Sequence, residues 1–185
     1  MTSSLHALQH LLAERSARRG RFTLSSGRES TLYIDARLTT MSPEGLALIG
    51  PLGLAALEES GWNVQAVGGL TLGADPVAYA IAYASAQEGR LIRAFTVRKE
   101  AKTHGTGQLI EGPFKSGDRV AIVEDVITTG GSALKAAATV QAAGGVVTGV
   151  LAVVDRGEGG TEALEAKGFP VIALTRAGEI TPHML

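Results

Sequence analysis

The chain has 185 residues, 45% of them hydrophobic, which suffices for one well-cored domain and is short for two. A net charge of −1 and a pI near 6.4 argue against bulk attraction to nucleic acid. With no cysteine there are no disulfides, thiol nucleophiles or cysteine metal sites, and no apolar run approaches membrane-spanning length. The N-terminus, with Glu14, Arg15, Arg18 and Arg19, lacks a signal-peptide core, so a cytoplasmic location is expected.

Leu5, Leu8 and Leu12, with Leu11 beside them, predict an amphipathic helix over residues 4–18. Phe22-Thr-Leu and Leu32-Tyr-Ile flank Ser25-Ser-Gly-Arg-Glu-Ser and read as a small hairpin. Ser42-Pro43 is an N-cap and first-turn pair that opens a helix running to about Glu59, and Gly61 stops it. Val64 to Gly68 reads as the first strand of a sheet, with Gly68-Gly69 turning off its end. A helix from Asp75-Pro76 to about Gln87 follows, then a strand at Leu91 to Val97 and a polar stretch over 98–118. Beyond it come a strand at Val120 to Val123, a helix from about Ala133 that Gly144-Gly145 ends, and a buried strand at Val146 to Val154. A helix near Thr161 to Lys167 and a strand at Val171 to Leu174 close the pattern.

Helices and strands thus alternate from residue 43 to 174. That predicts an α/β fold, an open parallel sheet with helices on both faces. No linker or repeat interrupts it, so residues 1–185 read as one domain, with 1–40 a helix-and-hairpin hood on a core of 41–185. Ligands of such sheets bind beyond the carboxyl ends of the strands. Four segments are expected to meet there: Gly68 to Gly73, Arg98 onward, Glu124 to Ser132, and Asp155-Arg156.

The most informative of these is Val-Ala-Ile-Val-Glu-Asp-Val-Ile-Thr-Thr-Gly-Gly-Ser, from Val120 to Ser132. Glu124 and Asp125 place two carboxylates at a strand end, and Thr128, Thr129, Gly130, Gly131 and Ser132 lead into a helix. Converging backbone N–H groups and the positive end of that helix suit a phosphate, and glycine leaves no Cβ in its way. Carboxylates above a phosphate cup suit a sugar phosphate. Composition alone also allows an ordinary strand–turn–helix with acidic residues at its mouth.

Arg98, Lys99, Lys102 and His104 lie within seven residues, followed by Gly105 and Gly107. Many such charge runs are solvated surface loops. Leaving a strand at the same sheet edge as the cup, this one is also suited to close over a polyanion and neutralise a departing diphosphate.

The Glu124–Ser132 string resembles the phosphoribosyl-pyrophosphate signature of the type I phosphoribosyltransferases. Together with the charged loop it is similar to the orotate phosphoribosyltransferases, as are Phe22-Thr-Leu-Ser-Ser-Gly-Arg-Glu-Ser, Tyr33-Ile-Asp-Ala-Arg and Gly73-Ala-Asp-Pro. The resemblance spans roughly residues 20 to 160. It implies Mg²⁺-dependent transfer of ribose 5-phosphate from phosphoribosyl pyrophosphate to orotate. The products are orotidine 5′-monophosphate and pyrophosphate, a step of UMP biosynthesis. It also implies site roles. Arg98, Lys99, Lys102 and His104 would contact the pyrophosphate, and Glu124 and Asp125 the ribose hydroxyls. Asp125, Val126, Ile127, Thr128, Thr129, Gly130, Gly131 and Ser132 would form the 5′-phosphate cup, and Thr128 and Arg156 would face orotate. Lys102 and Asp125 are the expected catalytic pair. Mg²⁺ would be held through pyrophosphate, ribose hydroxyls and water, with no direct protein ligand. The family further implies a homodimer whose loop reaches the neighbouring site, with no nucleic-acid or membrane partner. Some members carry lysine where Ser25 and Gly73 stand here, so those contacts do not carry over. A transferase for another base and a phosphoribosyl-pyrophosphate-sensing regulator are the rival readings. The charged loop and Arg156 argue against the first, and the acidic net charge against the second.

Overall fold

In this computed structural model, residues 2–23, 29–100 and 109–180 are described. Their strands are β1 (Ala17–Thr23), β2 (Glu29–Ile34), β3 (Ala66–Leu70), β4 (Arg93–Val97), β5 (Ile110–Glu111), β6 (Arg119–Ile127), β7 (Val146–Asp155) and β8 (Val171–Arg176). The helices are α1 (Thr2–Arg15), α2 (Arg37–Thr40), α3 (Pro43–Glu59), α4 (Ala74–Gln87), α5 (Gly131–Ala142) and α6 (Gly160–Glu165). The main sheet has the order β5-β4-β3-β6-β7-β8. All its pairings are parallel except the two-residue β5, which runs antiparallel on the edge of β4.

Strand β6 lies at the centre and is buried on both faces, as the apolar run predicts. Ala121 and Val123 join Val67, Leu151 and Val153 in the core shared with α1, α3 and α4. Val120 and Ile122 join Val150 and Ala152 against α5 and α6. Each fully buried Val, Leu or Ile contributes about 1.5–3 kcal/mol. This two-sided burial fixes the register at which β6 emerges from the core.

Several boundaries differ from the sequence reading. Helix α1 stops at Arg15 and β1 begins at Ala17, because Ser16 is buried and its hydroxyl bonds Thr39 Oγ1 at 2.7 Å. Gly68 and Gly69 lie inside β3 instead of turning off its end. A Cβ at Gly68 would sit 2.3 Å from the Phe95 carbonyl oxygen, and one at Gly69 would sit 2.2 Å from that of Val123. The glycines are there for close packing. The strand read as Val120 to Val123 continues through both carboxylates to Ile127, because pairing with β7 persists at Val126↔Val154 and Ile127↔Asp155. The cap at Ser42 is as read, with its hydroxyl accepting from Gly45 N at 3.1 Å. No described helix is long and apolar enough to cross a membrane.

The β1–β2 hairpin and α1 pack on the α3 side of the sheet, with Leu8, Leu12, Ala17 and Ile34 in the same core as Val67 and Val123. Tyr33 and Phe22 stack across the hairpin, ring centres 5.4 Å apart.

Candidate active site

Strand alternation puts the two carboxylates on opposite faces of β6 as it leaves the core. Glu124 is only 5% exposed, and its Oε1 has no hydrogen-bond partner. Burial, with Asp125 adding its negative charge, pushes its carboxyl from an ordinary 4.5 up to about 8. Asp125 faces the other way. Burial raises its carboxyl too, opposed by the Val126 N–H that its Oδ1 accepts at 2.9 Å and by the charge of Arg37. A buried, unpartnered oxygen beside a second carboxylate calls for a ligand that brings donors or positive charge.

Immediately downstream, Glu124, Val126–Ala133 and their backbone enclose a cup of about 40 Å³. Gly130 adopts the left-handed conformation (φ 78°) that turns the chain into α5, and α5 has no side-chain cap. The first N–H groups of a helix have no partner within it, so the cup is lined by donors with a positive dipole behind them. The helix begins at Gly131, two residues before the sequence reading. Gly160, at the start of α6, presses on the cup, and a Cβ there would lie 2.4 Å from the Thr128 carbonyl oxygen.

Arg156 joins this edge, since its backbone N–H bonds the Ile127 carbonyl at 3.0 Å. Its side chain is 11% exposed and pairs with Glu158 at 2.8 Å, so it is no surface arginine. Arg98 and Lys99 leave β4 one strand beyond β3. Arg98 turns to Glu111 at 3.5 Å, while its Nε is buried without a partner. Lys99 is exposed, and its carbonyl accepts from Lys135 Nζ at 2.8 Å. The structure therefore brings Glu124 to Ser132 and Arg156 together and leaves Arg98 paired elsewhere. Lys102 and His104 lie outside the described residues.

Two groups that the sequence placed in recognisable motifs gain roles it did not assign. Arg37 donates from Nε and Nη2 to both oxygens of Asp35, at 2.8 and 2.9 Å, and its charge reaches Asp125. The hydrogen bonds from Arg37 hold the Asp35 carboxyl below its ordinary range. The Asp-x-Arg spacing was the only local signal for this pair. Asp75, in the first turn of α4, accepts Thr71 Oγ1 at 2.7 Å and Thr96 Oγ1 at 2.8 Å. It thus ties the turn after β3 to the end of β4. Among the described residues no group of three or more His, Asp or Glu side chains is arranged to cage a metal.

No family model matches the chain. It is 53% identical over 166 residues to the orotate phosphoribosyltransferase of Mycobacterium avium (strain 104), covering 90% of each chain. The crystal structure of Mycobacterium tuberculosis H37Rv orotate phosphoribosyltransferase in complex with Fe(III) dicitrate superposes with a TM-score of 0.85. That pair shares 47% identity over 96% of this chain and 98% of that one. The same enzyme in complex with 5-phospho-alpha-D-ribosyl 1-diphosphate gives 0.79 at 39% identity, over 96% and 92%. Identity at this level across 90% of both chains, on a shared fold, settles the family: the chain belongs to the orotate phosphoribosyltransferases.

Proposed function

We propose that Glu124, Asp125 and the cup from Val126 to Ser132 hold phosphoribosyl pyrophosphate while its ribose 5-phosphate passes to N1 of orotate. The products are orotidine 5′-monophosphate and pyrophosphate, in UMP biosynthesis. The observation that carries this assignment is the buried Glu124 oxygen without a partner, next to a donor-lined cup. The cup takes the 5′-phosphate through backbone N–H groups, which anchors the sugar. Glu124 and Asp125 then accept from the ribose hydroxyls. The Asp125 carboxylate brings negative charge close to the ring carbon that becomes cationic as the glycosidic bond to pyrophosphate breaks, while Glu124, whose burial favours its protonated form, serves the ribose hydroxyls through hydrogen bonds. Thr128 and Arg156 orient orotate so that N1 meets that carbon, and no covalent nucleophile is needed.

Glu124 and Asp125 supply hard oxygen donors at this edge, which fits a divalent metal that arrives with the substrate. Mg²⁺ would enter with the substrate, with no direct protein ligand, and would supply charge neutralisation at the leaving group. Arg98, Lys99, Lys102 and His104 would contact the pyrophosphate. In this reading the chain works as one catalytic domain with an N-terminal hood, as a cytoplasmic homodimer whose Lys102 loop serves the partner's site. Adding phosphoribosyl pyrophosphate and Mg²⁺ to enzyme and orotate tests it directly. Orotate absorbance should fall, and Asp125→Asn should abolish most of the rate without unfolding the protein. Consumption of a purine base in place of orotate would overturn the substrate assignment.

A further inference from the structure

The four residues Asp155-Arg156-Gly157-Glu158 form a clamp built from local geometry. Asp155 is 8% exposed and closes a turn by accepting the Gly157 N–H on Oδ1 at 2.8 Å. Its Oδ2 accepts the Thr161 hydroxyl at 3.1 Å, which pins the turn to α6. Gly157 takes a left-handed φ of 68°, so the chain doubles back and residues 156 and 158 face each other. Arg156 Nη2 then meets Glu158 Oε1 at 2.8 Å, with side chains only 11% and 15% exposed. A guanidinium is always charged, and burying one is costly unless a counter-charge and good geometry accompany it.

We propose that Glu158 is a positioning residue for orotate: it holds one amino group of Arg156 so that the rest of the planar fork faces the carboxylate of the incoming base. Arginine carries five donors in a fixed plane, so occupying one side orients the remainder. Glu158 also balances the Arg156 charge when the base is absent. It thereby sets selectivity, because a base without a carboxylate gains nothing from the oriented fork. This rests on the reading of Arg156 as the orotate-facing residue.

The test is steady-state kinetics on Glu158→Gln, Glu158→Asp, Gly157→Ala and Arg156→Ala. Glu158→Gln keeps the shape but weakens the hold on Nη2, and should raise the KM for orotate roughly 10-fold. The KM for phosphoribosyl pyrophosphate should stay within about twofold, and Glu158→Asp should recover part of the loss. Gly157→Ala meets no atom within 4 Å, so it disturbs only the turn, and should shift the same KM in the same direction. It keeps the proposal testable if Glu158→Gln does not fold. A lower orotate KM in Glu158→Gln would show that Glu158 competes with substrate, and an unchanged one that it plays no part. Either result overturns the positioning role. An unchanged orotate KM in Arg156→Ala would instead overturn the base-pocket reading on which this proposal stands.

Discussion

Gly73 lies directly beneath the Asp125 carboxylate: a Cβ added there would come within 2.4 Å of Oδ1 and 2.9 Å of Oδ2. Its φ of −63° is open to any residue, so the constraint is space alone. A lysine at this position, as some family members carry, cannot coexist with this placement of Asp125. Gly73→Ala is therefore expected to push the carboxylate aside, with a stability cost of about 1–3 kcal/mol. The kcat/KM should fall at least tenfold in protein that still melts cooperatively. Wild-type turnover would show that Asp125 has room to move.

The buried Glu124 carboxyl makes the free enzyme's stability depend on pH. Its folded value of about 8 lies above the ordinary 4.5, so the native state holds a proton that the unfolded chain has lost. Stability should fall as pH rises from about 4.5 to about 8, by on the order of 3–5 kcal/mol, and level off above. Glu124→Gln should flatten that slope. Denaturant titrations of both proteins at several pH values read the difference directly. A wild-type slope no steeper than the variant's would mean that Glu124 is solvated in the free enzyme.

Arg37 acts on the second carboxylate. Burial raises Asp125, and the guanidinium held by Asp35 offsets part of that. Arg37→Ala removes the offset, so Asp125 needs a higher pH to ionise. The acid limb of the kcat/KM profile should move upward in pH, with Arg37→Lys moving it less. An unmoved limb would confine Arg37 to its pair with Asp35.

The cup was legible in the sequence because its chemistry is contiguous. Strand, carboxylates, glycines and helix follow one another from Val120 to Ala133, and Ser42-Pro43 announced α3 in the same local way. What stayed hidden depends on neighbours distant in the chain. Gly68-Gly69 looks like a turn until Phe95 and Val123 are seen crowding it. Glu124 and Asp125 look like the end of a strand until Val154 and Asp155 are found pairing two residues further on. Arg37 gains meaning only when its charge is found to reach Asp125 on β6, and the two-residue β5 is too short to leave any periodic signal.

Subunit exchange tests the proposed closure in trans. Lys102 belongs to a charge-rich segment followed by Gly105 and Gly107, and its ammonium should matter mainly when pyrophosphate is leaving. Lys102→Ala is expected to cut kcat strongly while binding of orotidine monophosphate, which lacks pyrophosphate, changes little. Asp125→Asn spoils the carboxylate pair but leaves the loop intact. When the two inactive proteins are dissociated and reassociated at random, half of the dimers are hybrids. If the loop serves the neighbour, each hybrid joins an intact cup from one chain to an intact loop from the other, at one of its two sites. Roughly one quarter of all sites should then regain activity. If the loop serves its own subunit, every site in the hybrid carries one defect and nothing returns. With hybrid formation confirmed by mass, the recovered rate decides between the two arrangements.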